Sequence, residues 1–441
     1  MKIGTLVLNY LAGLVSAVPS RRRMALPCVG AAIFLLGGCQ LADMARFSLA
    51  NATASHDWSD ETHMTTMRFS LVDDHIVVPV SVNGSEPLNF VVDSGAAATV
   101  ILESRGTRLL PLTLGAEMTV SGVGAGPDPK AYIVSDTDIA LGGVRMQGLS
   151  VIYLPLDSVP FFEDIDEVYF DGVIGASFFE RFIVEIDYDK QLISFFEPGP
   201  GRPAVKHGNA DWVELPLQID SGLPYLTTQI SVHPDQAITV KLLVDTGYRG
   251  PVSLTPNTHE EIEEPLEYFS LLSQGLSGDV ETRVGMSSSL SIGDFRLNSV
   301  PVSYSMTGGE SDNGSNGLLG NEVLSHFNLV FDYPNKRMFA SRNQIFQEPL
   351  NADRSGLLLR PHISGAVVKS VASGASAQST GLRVGDIVTS IDDQVVTPSN
   401  IGKLKRLLAS DRQTLSLCWL AGDQKQCGDL KLASRFQQQE Q

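Results

Sequence analysis

The stretch Leu88-Asn89-Phe90-Val91-Val92-Asp93-Ser94-Gly95 recurs 152 residues later as Val240-Lys241-Leu242-Leu243-Val244-Asp245-Thr246-Gly247. In both copies an apolar run ends in Asp, a hydroxyl residue and Gly. One such copy is adequately explained as a turn that leaves a strand, because Asp and Gly both favour turns. A second copy at a fixed distance calls for a comparison of the two halves of the chain.

The similarity between the halves extends well beyond these eight residues. At the same offset of 152, Val100 and Leu102 recur as Val252 and Leu254. At an offset of 145, the matches are Val173-Ile174-Gly175 with Leu318-Leu319-Gly320, Phe182 with Phe327, and Ile186-Asp187-Tyr188 with Phe331-Asp332-Tyr333. The matching residues are separated by one of two constant distances, and a single change in the length of the second copy accounts for the difference. This pattern indicates a duplicated domain.

Each copy is predicted to be rich in strands. Residues that favour strands alternate with others before both Asp motifs, at Ile76, Val78, Val80 and Val82 and again at Thr228, Ile230 and Val232. Helical periodicity is scarce, and residues 259–272 and 322–327 are predicted to be at most short helices. These patterns predict an all-β class with minor helices.

Length and composition set limits on the class of protein. The chain has 441 residues, which is enough for about three domains. Its 43% hydrophobic and 19% charged residues exclude a disordered or coiled-coil chain. The formal net charge of −18 disfavours nucleic acid as a partner, because such a surface repels phosphate backbones.

The two Asp motifs, together with the apolar-apolar-Gly strand that follows each, resemble the aspartic proteases. The glycines of those strands, Gly175 and Gly320, lie 82 and 75 residues after the motif aspartates. The small lobes resemble the retropepsins, whereas two lobes on one chain resemble pepsin. The resemblance covers residues 75–345. It implies a mainly β fold with two duplicated acid-protease β-barrel lobes, residues 69–205 and 206–348.

In this resemblance Asp93 and Asp245 form the catalytic dyad. Two carboxyls about 3 Å apart cannot both ionise, so one of them keeps a proton. The pair can donate a proton to a peptide carbonyl and take one from an attacking water. The resemblance also implies that the next hydroxyl residues bond across to the opposite loop and that the glycines permit its close approach. These supporting residues are Ser94, Gly95, Thr246 and Gly247.

Two glycine-rich stretches, Ser121–Gly126 and Ser273–Gly278, occupy matching positions in the two copies. Their glycine content suits a mobile lid over a substrate, and we predict flap residues at Gly122, Gly124 and Gly275. A plain surface hairpin is the alternative. Two glycine-rich flaps resemble the retroviral arrangement more than the single flap of pepsin.

Tyr248 departs from the family pattern, in which a small residue usually follows Asp-Thr-Gly. Its side chain either crowds the cleft or forms part of the cleft wall. Neither copy carries the longer signature of pepsin.

The C-terminal part of the chain resembles a bacterial PDZ domain, predicted over residues 350–435. The resemblance rests on the turn Gly381-Leu382-Arg383-Val384-Gly385-Asp386 and the strands on either side of it. Residues 401–408 are predicted to form the helix of a peptide groove. A C-terminal carboxylate is expected to bind backbone N–H groups of a loop. The residues of this loop are Gly356, Leu357, Leu358 and Leu359. The alternative is a module that packs on the lobes and binds nothing.

Cys418 and Cys427 flank the turn pair Gly422-Asp423 at equal distances. Counting outward from this two-residue turn places them at a directly opposed, non-hydrogen-bonded pair of a hairpin, within disulfide range. We therefore predict a Cys418–Cys427 disulfide, which an oxidising compartment would permit.

The N-terminal residues are predicted to form an export signal. The basic segment Arg21–Arg23 precedes a short apolar stretch, and Leu36-Gly37-Gly38-Cys39 resembles the lipobox of bacterial lipoproteins. The alternative, a transmembrane anchor, needs about 20 apolar residues and finds too few before Asp43. The resemblance implies a signal peptide over residues 1–38 and lipid on Cys39.

Residues 1–20 are redundant beside this signal, which suggests a true start downstream of Met1. Gln40 follows the lipidated cysteine. By the sorting rule of such lipoproteins, this implies the outer membrane of a Gram-negative cell, facing the periplasm. Residues 39–68 lack sustained periodicity and are predicted to be a flexible tether.

No cofactor or metal is expected. The sequence contains no His-Glu-x-x-His, no Gly-x-Ser-x-Gly and no Cys/His cluster, so metallo and serine hydrolase mechanisms have no candidate residues. The prediction is a lipid-anchored periplasmic aspartic endopeptidase that acts on polypeptides, with a PDZ domain that binds the C-termini of substrates or partners. The lipid anchor is expected to be its only membrane contact. The alternative is a catalytically silent, two-lobed sensor or scaffold that binds peptides.

Overall fold

The computed structural model describes residues 30–159, 168–199, 211–233, 236–306 and 314–438. Strands form 51% of the chain and helices 12%. This proportion confirms the predicted mainly β class.

An N-terminal segment joins the body of the protein before the first repeat. Its elements are α1 (Gly30–Thr53), β1 (Ser55–Trp58) and β2 (Met64–Arg68). Both strands pair antiparallel with strands of the first lobe, β1 at Trp58↔Val144 and β2 at Met64↔Phe196. The flexible tether predicted over residues 39–68 is therefore wrong. Pairing at sheet edges orders a segment whose own polar pattern does not reveal strands.

The predicted export signal falls partly on residues 1–29, which lie outside the described residues. Cys39 is a residue of α1. No helix in the described part of the chain combines the length and apolar character needed to cross a membrane. The lipid on Cys39 and the outer-membrane location stay predictions.

The two lobes are built from corresponding strands. Lobe 1 contains β3 (Ser70–Val72), β4 (His75–Val82), β5 (Leu88–Val92), β6 (Val100–Leu102), β7 (Glu117–Thr119), β8 (Lys130–Leu141), β9 (Val144–Leu154), β10 (Gly172–Ile174), α2 (Ala176–Phe179), β11 (Ile183–Asp187) and β12 (Leu192–Phe196). Lobe 2 contains β13 (Trp212–Asp220), β14 (Leu223–His233), β15 (Gln236–Asp245), β16 (Val252–Leu254), β17 (Glu267–Gly275), β18 (Gly278–Ile292), β19 (Phe295–Ser305), β20 (Gly317–Gly320), α3 (Asn321–Leu324), β21 (Phe327–Asp332) and β22 (Arg337–Arg342).

In each lobe six strands close into a barrel. The order in lobe 1 is β4-β5-β10-β6-β9-β8, and β8 pairs back onto β4. The order in lobe 2 is β14-β15-β20-β16-β19-β18, and β18 pairs back onto β14. The alternating residues Ile76, Val78, Val80 and Val82 are all buried in the core. The identical strand order matches the duplication in the sequence.

A six-stranded sheet joins the two lobes. Its order is β2-β12-β11-β21-β22-β13. The lobes meet where β11 pairs with β21, at Val184↔Phe331 and Ile186↔Leu329. All four of these side chains are buried, so the sheet holds the two barrels together through apolar packing.

The two helix predictions have different outcomes. Residues 259–272 do not form a helix, because Pro265 interrupts the segment and β17 begins at Glu267. Within residues 322–327, the short helix α3 ends at Leu324, and β21 begins at Phe327.

The C-terminal module is a separate small sheet with one helix. Its elements are β23 (Leu357–His362), β24 (Gly365–Val371), β25 (Ile387–Ile391), β26 (Gln394–Val395), α4 (Ile401–Leu408), β27 (Thr414–Ala421), β28 (Gln424–Lys431) and β29 (Gln437–Gln438). Helix α4 covers the predicted residues and buries Leu404 and Leu408 in the module's core. The last strand, β29, pairs with β17 of lobe 2.

Candidate active site

The structure brings the two Asp motifs together where the two lobes meet. Asp93 follows β5, and Asp245 is the last residue of β15. The two carboxyls hydrogen-bond to each other. Aspartates that are 152 residues apart in the chain therefore form one site.

The hydroxyl residues after each Asp connect the two loops. Ser94 Oγ donates to Val244 O (2.7 Å) and accepts from Thr246 N (3.1 Å). Thr246 Oγ1 donates to Val92 O (2.9 Å) and accepts from Ser94 N (3.0 Å). Both side chains are buried. This reciprocal exchange locks the two loops into one relative orientation.

The adjoining glycines allow the loops to approach. A Cβ on Gly95 would lie 2.5 Å from Asp245 Cγ, and one on Gly247 would overlap the Asp93 carboxyl. Each glycine N–H also donates to the aspartate of its own loop, at 2.7 Å for Asp93 Oδ1 and 2.8 Å for Asp245 Oδ1. Any larger residue would push the carboxyls apart, so both glycines are required for a close pair.

Burial and charge raise the affinity of the dyad for a proton. Burial raises the pKa of Asp93 above that of an exposed carboxyl. Burial and then the neighbouring Asp93 charge raise the pKa of Asp245 well above that value. The arrangement can therefore hold one proton between two carboxyls while one of them remains able to act as a base.

The apolar-apolar-Gly strands run beneath the two loops. β10 runs parallel to β5 with Ile174 opposite Val92, and β20 runs parallel to β15 with Gly320 opposite Asp245. A Cβ on Gly320 would overlap the backbone of the Asp245 loop. These strands support the loops from below.

The two predicted flap stretches meet each other. Gly126 N donates to Ser277 O (2.7 Å), and Ser277 N donates to Val123 O (2.9 Å). The residues with no room for a side chain are Gly122 beside Leu276, Gly124 beside the Ser277 backbone and Gly275 beside the Val123 backbone. The three predicted flap glycines thus lie where the two tips pack together.

Tyr248 lies on an apolar wall of lobe 2. Its ring packs against the buried cluster of Tyr225, Leu243 and Leu318. Its backbone N–H donates to Asp245 Oδ1 at 2.8 Å. The ring is therefore held in an apolar cluster, and its place in the cleft wall stays a prediction.

The tip of the β3–β4 hairpin contacts the Asp245 loop, although none of its residues was predicted to belong to the site. His75 Nε2 donates to Gly247 O (2.9 Å), and Asp73 pairs with Arg249 two residues further along. The sequence contains one local signal, an Asp73-Asp74 turn between two strands. The contact itself joins residues about 170 positions apart and has no local signature.

The predicted carboxylate-binding loop of the C-terminal module is held by its own side chains. Gly356 N donates to Asp353 Oδ2 (2.8 Å), and Leu357 N donates to Ser355 Oγ (3.0 Å). Leu358 and Leu359 lie at the start of β23. Among the described residues β23 pairs only with β24, so its other edge is open to an extended peptide.

The predicted disulfide is present. Cys418 faces Cys427 across the β27–β28 hairpin, with Cα atoms 4.1 Å apart and the sulfurs bonded. The turn arithmetic in the sequence correctly identified the opposed pair.

Comparison with protein families agrees with both parts of this architecture. Residues 78–178 and 229–323 match the model of a family described as aspartyl protease, one segment in each barrel. Residues 367–417 match a family described as PDZ domain. No curated protein matches the chain.

Proposed function

Because this chain carries an aspartyl protease domain in two segments followed by a PDZ domain, we propose that it is an aspartic endopeptidase that cleaves extended polypeptides. The observation that carries this proposal is the close pair of Asp93 and Asp245, joined by the exchanged Ser94 and Thr246 hydrogen bonds. A fold that only bound peptides would have no need of two buried carboxyls in contact.

The proposed mechanism uses one proton on the dyad. The ionised carboxyl takes a proton from a water while the protonated carboxyl donates its proton to the oxygen of the peptide carbonyl. The water oxygen bonds to the carbonyl carbon, and the resulting diol collapses with transfer of a proton to the leaving nitrogen. Gly95 N and Gly247 N hold the two carboxyls in place during these transfers.

The paired flaps are proposed to cover the substrate and exclude water. Leu276 of the lobe 2 flap packs against apolar residues of lobe 1, so the cover reaches across the cleft. Tyr248, Leu243 and Leu318 provide an apolar wall beside Asp245. We therefore expect apolar side chains next to the cleaved bond.

The PDZ domain is proposed to recruit substrates or partners by their C-termini. An extended peptide would add to the open edge of β23 beside helix α4. Its carboxylate would compete with Asp353 for the N–H of Gly356. This competition predicts modest affinity, which suits a recruiting module.

The proposed location is the periplasmic face of an outer membrane, with lipid on Cys39. Support comes from the Arg21–Arg23 and Leu36–Cys39 segments of the sequence. The Cys418–Cys427 disulfide also suits an oxidising compartment. Labelling with a radioactive fatty acid tests this proposal, and label that persists in a Cys39→Ser variant would contradict it.

Cleavage mapping by mass spectrometry tests the activity. An unfolded protein substrate is incubated from pH 3 to pH 8 with the wild type, Asp93→Asn and Asp245→Asn. We expect cleavage by the wild type and a loss of about 10²–10⁴-fold or more in either variant. Equal cleavage by all three would identify a contaminant. Peptide binding without cleavage by the wild type would favour the silent sensor or scaffold.

A further inference from the structure

The tip of the β3–β4 hairpin is a buried acidic turn. Val72 pairs with His75, and the two residues between them, Asp73 and Asp74, both have positive φ, 51° and 65°. Asp is one of the few residues that adopt this conformation readily, as a two-residue hairpin turn requires. Only 1% of the Asp73 surface is exposed, so its carboxylate depends on partners inside the protein.

Those partners come from two different domains. One carboxylate oxygen of Asp73 pairs with Arg249, which lies four residues after Asp245 in the catalytic loop. The other oxygen pairs with Lys405 of helix α4 in the PDZ domain. Burial acts to raise the pKa of Asp73, but the charges of Arg249 and Lys405 lower it to about 2. The carboxylate therefore stays ionised at any working pH of the protein.

The same hairpin tip binds the catalytic loop at neighbouring points. His75 Nε2 donates to Gly247 O at 2.9 Å. Asn321 Nδ2 donates to Asp74 O (2.5 Å), while Asn321 N donates to Tyr248 O (2.6 Å). Asp73 and His75 thus contact the loop residues Arg249 and Gly247 directly. Asp74 is connected to Tyr248 through Asn321.

The duplicated lobes provide an internal comparison. The residues that correspond to the tip in lobe 2 are Ser221 and Gly222, in the turn between β13 and β14. The residue of the lobe 1 loop that corresponds to Arg249 is Ala97. The buried ion pair therefore occurs in only one of the two equivalent positions. That position faces the PDZ helix.

Helix α4 is shaped for this contact. Gly402 lies against the hairpin tip, and a Cβ there would be 2.6 Å from Asp74 Oδ1. Arg406, one residue after Lys405, pairs with Asp74 Oδ1 at 2.8 Å. One face of the helix thus places the charges of Lys405 and Arg406 beside the two aspartates of the turn. On the same face, Gly402 leaves room for Asp74.

We propose that Asp73 is a positioning residue of the active site: it orients the loop that carries Asp245 through Arg249, and Lys405 makes the PDZ domain part of that support. This inference rests on the proposed protease function. It differs from peptide recruitment, because the PDZ domain acts here even when its groove is empty.

The physical basis is the mutual dependence of the three charges. Removing the carboxylate leaves the Arg249 guanidinium in a largely buried place without its countercharge, so the loop must move to hydrate it. Removing Lys405 leaves Asp73 with Arg249 as its remaining ion-pair partner and leaves α4 attached to the tip through Arg406 and Asp74. A shift of about 1 Å in a reacting group can lower the rate about 100-fold, so small movements of this loop are measurable.

The test compares four variants with the wild type on a short peptide substrate that lacks a PDZ-binding C-terminus. They are Asp73→Asn, Lys405→Met, Lys405→Arg and, as a matched control on the same helix, Lys403→Met. We expect kcat to fall about 100-fold in Asp73→Asn and about tenfold in Lys405→Met with KM unchanged, as for displaced reacting groups. Lys405→Arg should restore most of kcat, and Lys403→Met should match the wild type.

Hydrogen exchange of residues 242–250 is measured on the same proteins and needs no turnover. We expect faster exchange there in Asp73→Asn and Lys405→Met, whose folding is checked by circular dichroism. Unchanged exchange and kcat in a folded Lys405→Met protein would overturn the role of the PDZ domain, and the same result in Asp73→Asn would overturn the role of Asp73. A wild type without turnover would contradict the proposed function. In that case hydrogen exchange of residues 242–250 would be the remaining test of this inference.

Discussion

Burial raises the pKa of both Asp93 and Asp245. Both carboxyls bind protons more tightly than exposed carboxyls, and Asp245 does so more strongly because the Asp93 charge adds to the effect of burial. The two protons belong to the pair rather than to either residue. The chemistry of the site therefore depends on which pH range leaves one proton on the dyad.

The pH dependence of cleavage follows from these directions. Activity should fall at low pH, where the second carboxyl gains its proton, and at high pH, where the shared proton leaves. Because both pKa values are raised, we expect both limbs of the profile of kcat/KM to lie above the usual range of an exposed Asp. Initial rates on one peptide from pH 3 to pH 8 measure this. A single limb below pH 4 would contradict it.

Glu322 offers a prediction for stability. Burial and then the charge of Asp74 raise its pKa to about 8. A raised carboxyl pKa means that the folded state binds the proton more tightly, so stability decreases as pH rises from about 4.5 to 8. Glu322→Gln cannot ionise and should gain on the order of 2–4 kcal/mol over the wild type at pH 8 and little at pH 5. Urea unfolding at both pH values checks this, and an equal difference at both would contradict it.

Among the elements, the flaps depend on a contact that only glycine permits. Gly124 has φ +144°, and a side chain there would overlap the backbone of Ser277. The hydrogen bonds between the two tips leave no room to absorb such a change. The two predicted flap tips therefore form one packed, hydrogen-bonded contact.

Gly124→Ala should separate the flap tips. We expect kcat/KM to fall about tenfold, equivalent to about 1.4 kcal/mol, because the separated tips hold the substrate less well and exclude water less well. Gly84→Ala is the matched control, since Gly84 also has positive φ, +76°, but has open space around it. Peptide kinetics on both variants measure the effect. Similar losses in both would assign the effect to backbone strain instead of flap contact.

The β27–β28 hairpin has a disulfide across a sequence separation of 9 residues. Closing a loop of this size stabilises the folded state by about 2–3 kcal/mol through restriction of the unfolded chain. Replacing both Cys418 and Cys427 with Ala should lower the unfolding free energy of the PDZ domain by that amount. Urea unfolding with and without reductant provides the measurement. A wild type that is insensitive to reductant would contradict the prediction.

At the scale of the whole molecule, the described residues of the PDZ domain contact both lobes of the protease domain. Helix α4 contacts the acidic turn of lobe 1, and β29 pairs with the flap strand β17 of lobe 2 at Glu267↔Gln438. Arg435, just before β29, pairs with Asp353 (2.6 Å) and lies 4.1 Å from the centre of the Phe269 ring. The PDZ domain therefore contacts lobe 1 next to the Asp245 loop and lobe 2 at β17.

Arg435→Ala should loosen the flap strand. Loss of the ring contact and the ion pair is expected to weaken docking of the tail by about 1–2 kcal/mol and to speed hydrogen exchange in residues 267–275. Arg383→Ala, an exposed arginine of the same domain, is the control and should leave exchange unchanged. Unchanged exchange in the Arg435 variant would show that β29 docks without it.

The sequence by itself determined the features that local patterns encode. Apolar runs that end in Asp-Ser/Thr-Gly place both loops, the steady offsets reveal the duplication, and a two-residue turn identifies the Cys418–Cys427 pair. Each of these signals lies within a few residues of the feature it predicts, or in a similar stretch of the other copy. The mainly β class and the two aspartates of the candidate site, Asp93 and Asp245, follow from them.

Only the tertiary structure decided which distant residues form ion pairs and which segments pair at the edge of a sheet. Asp73, Arg249 and Lys405 are ordinary charged residues in the sequence, and their burial is possible only because each neutralises another. Likewise β1 and β2 are polar segments that become strands because sheet edges accept them. Such contacts depend on the free energy of assembled elements and leave no local pattern. For this reason the tether prediction was wrong, and the ion pairs between helix α4 and the Asp73–Asp74 turn were not predicted.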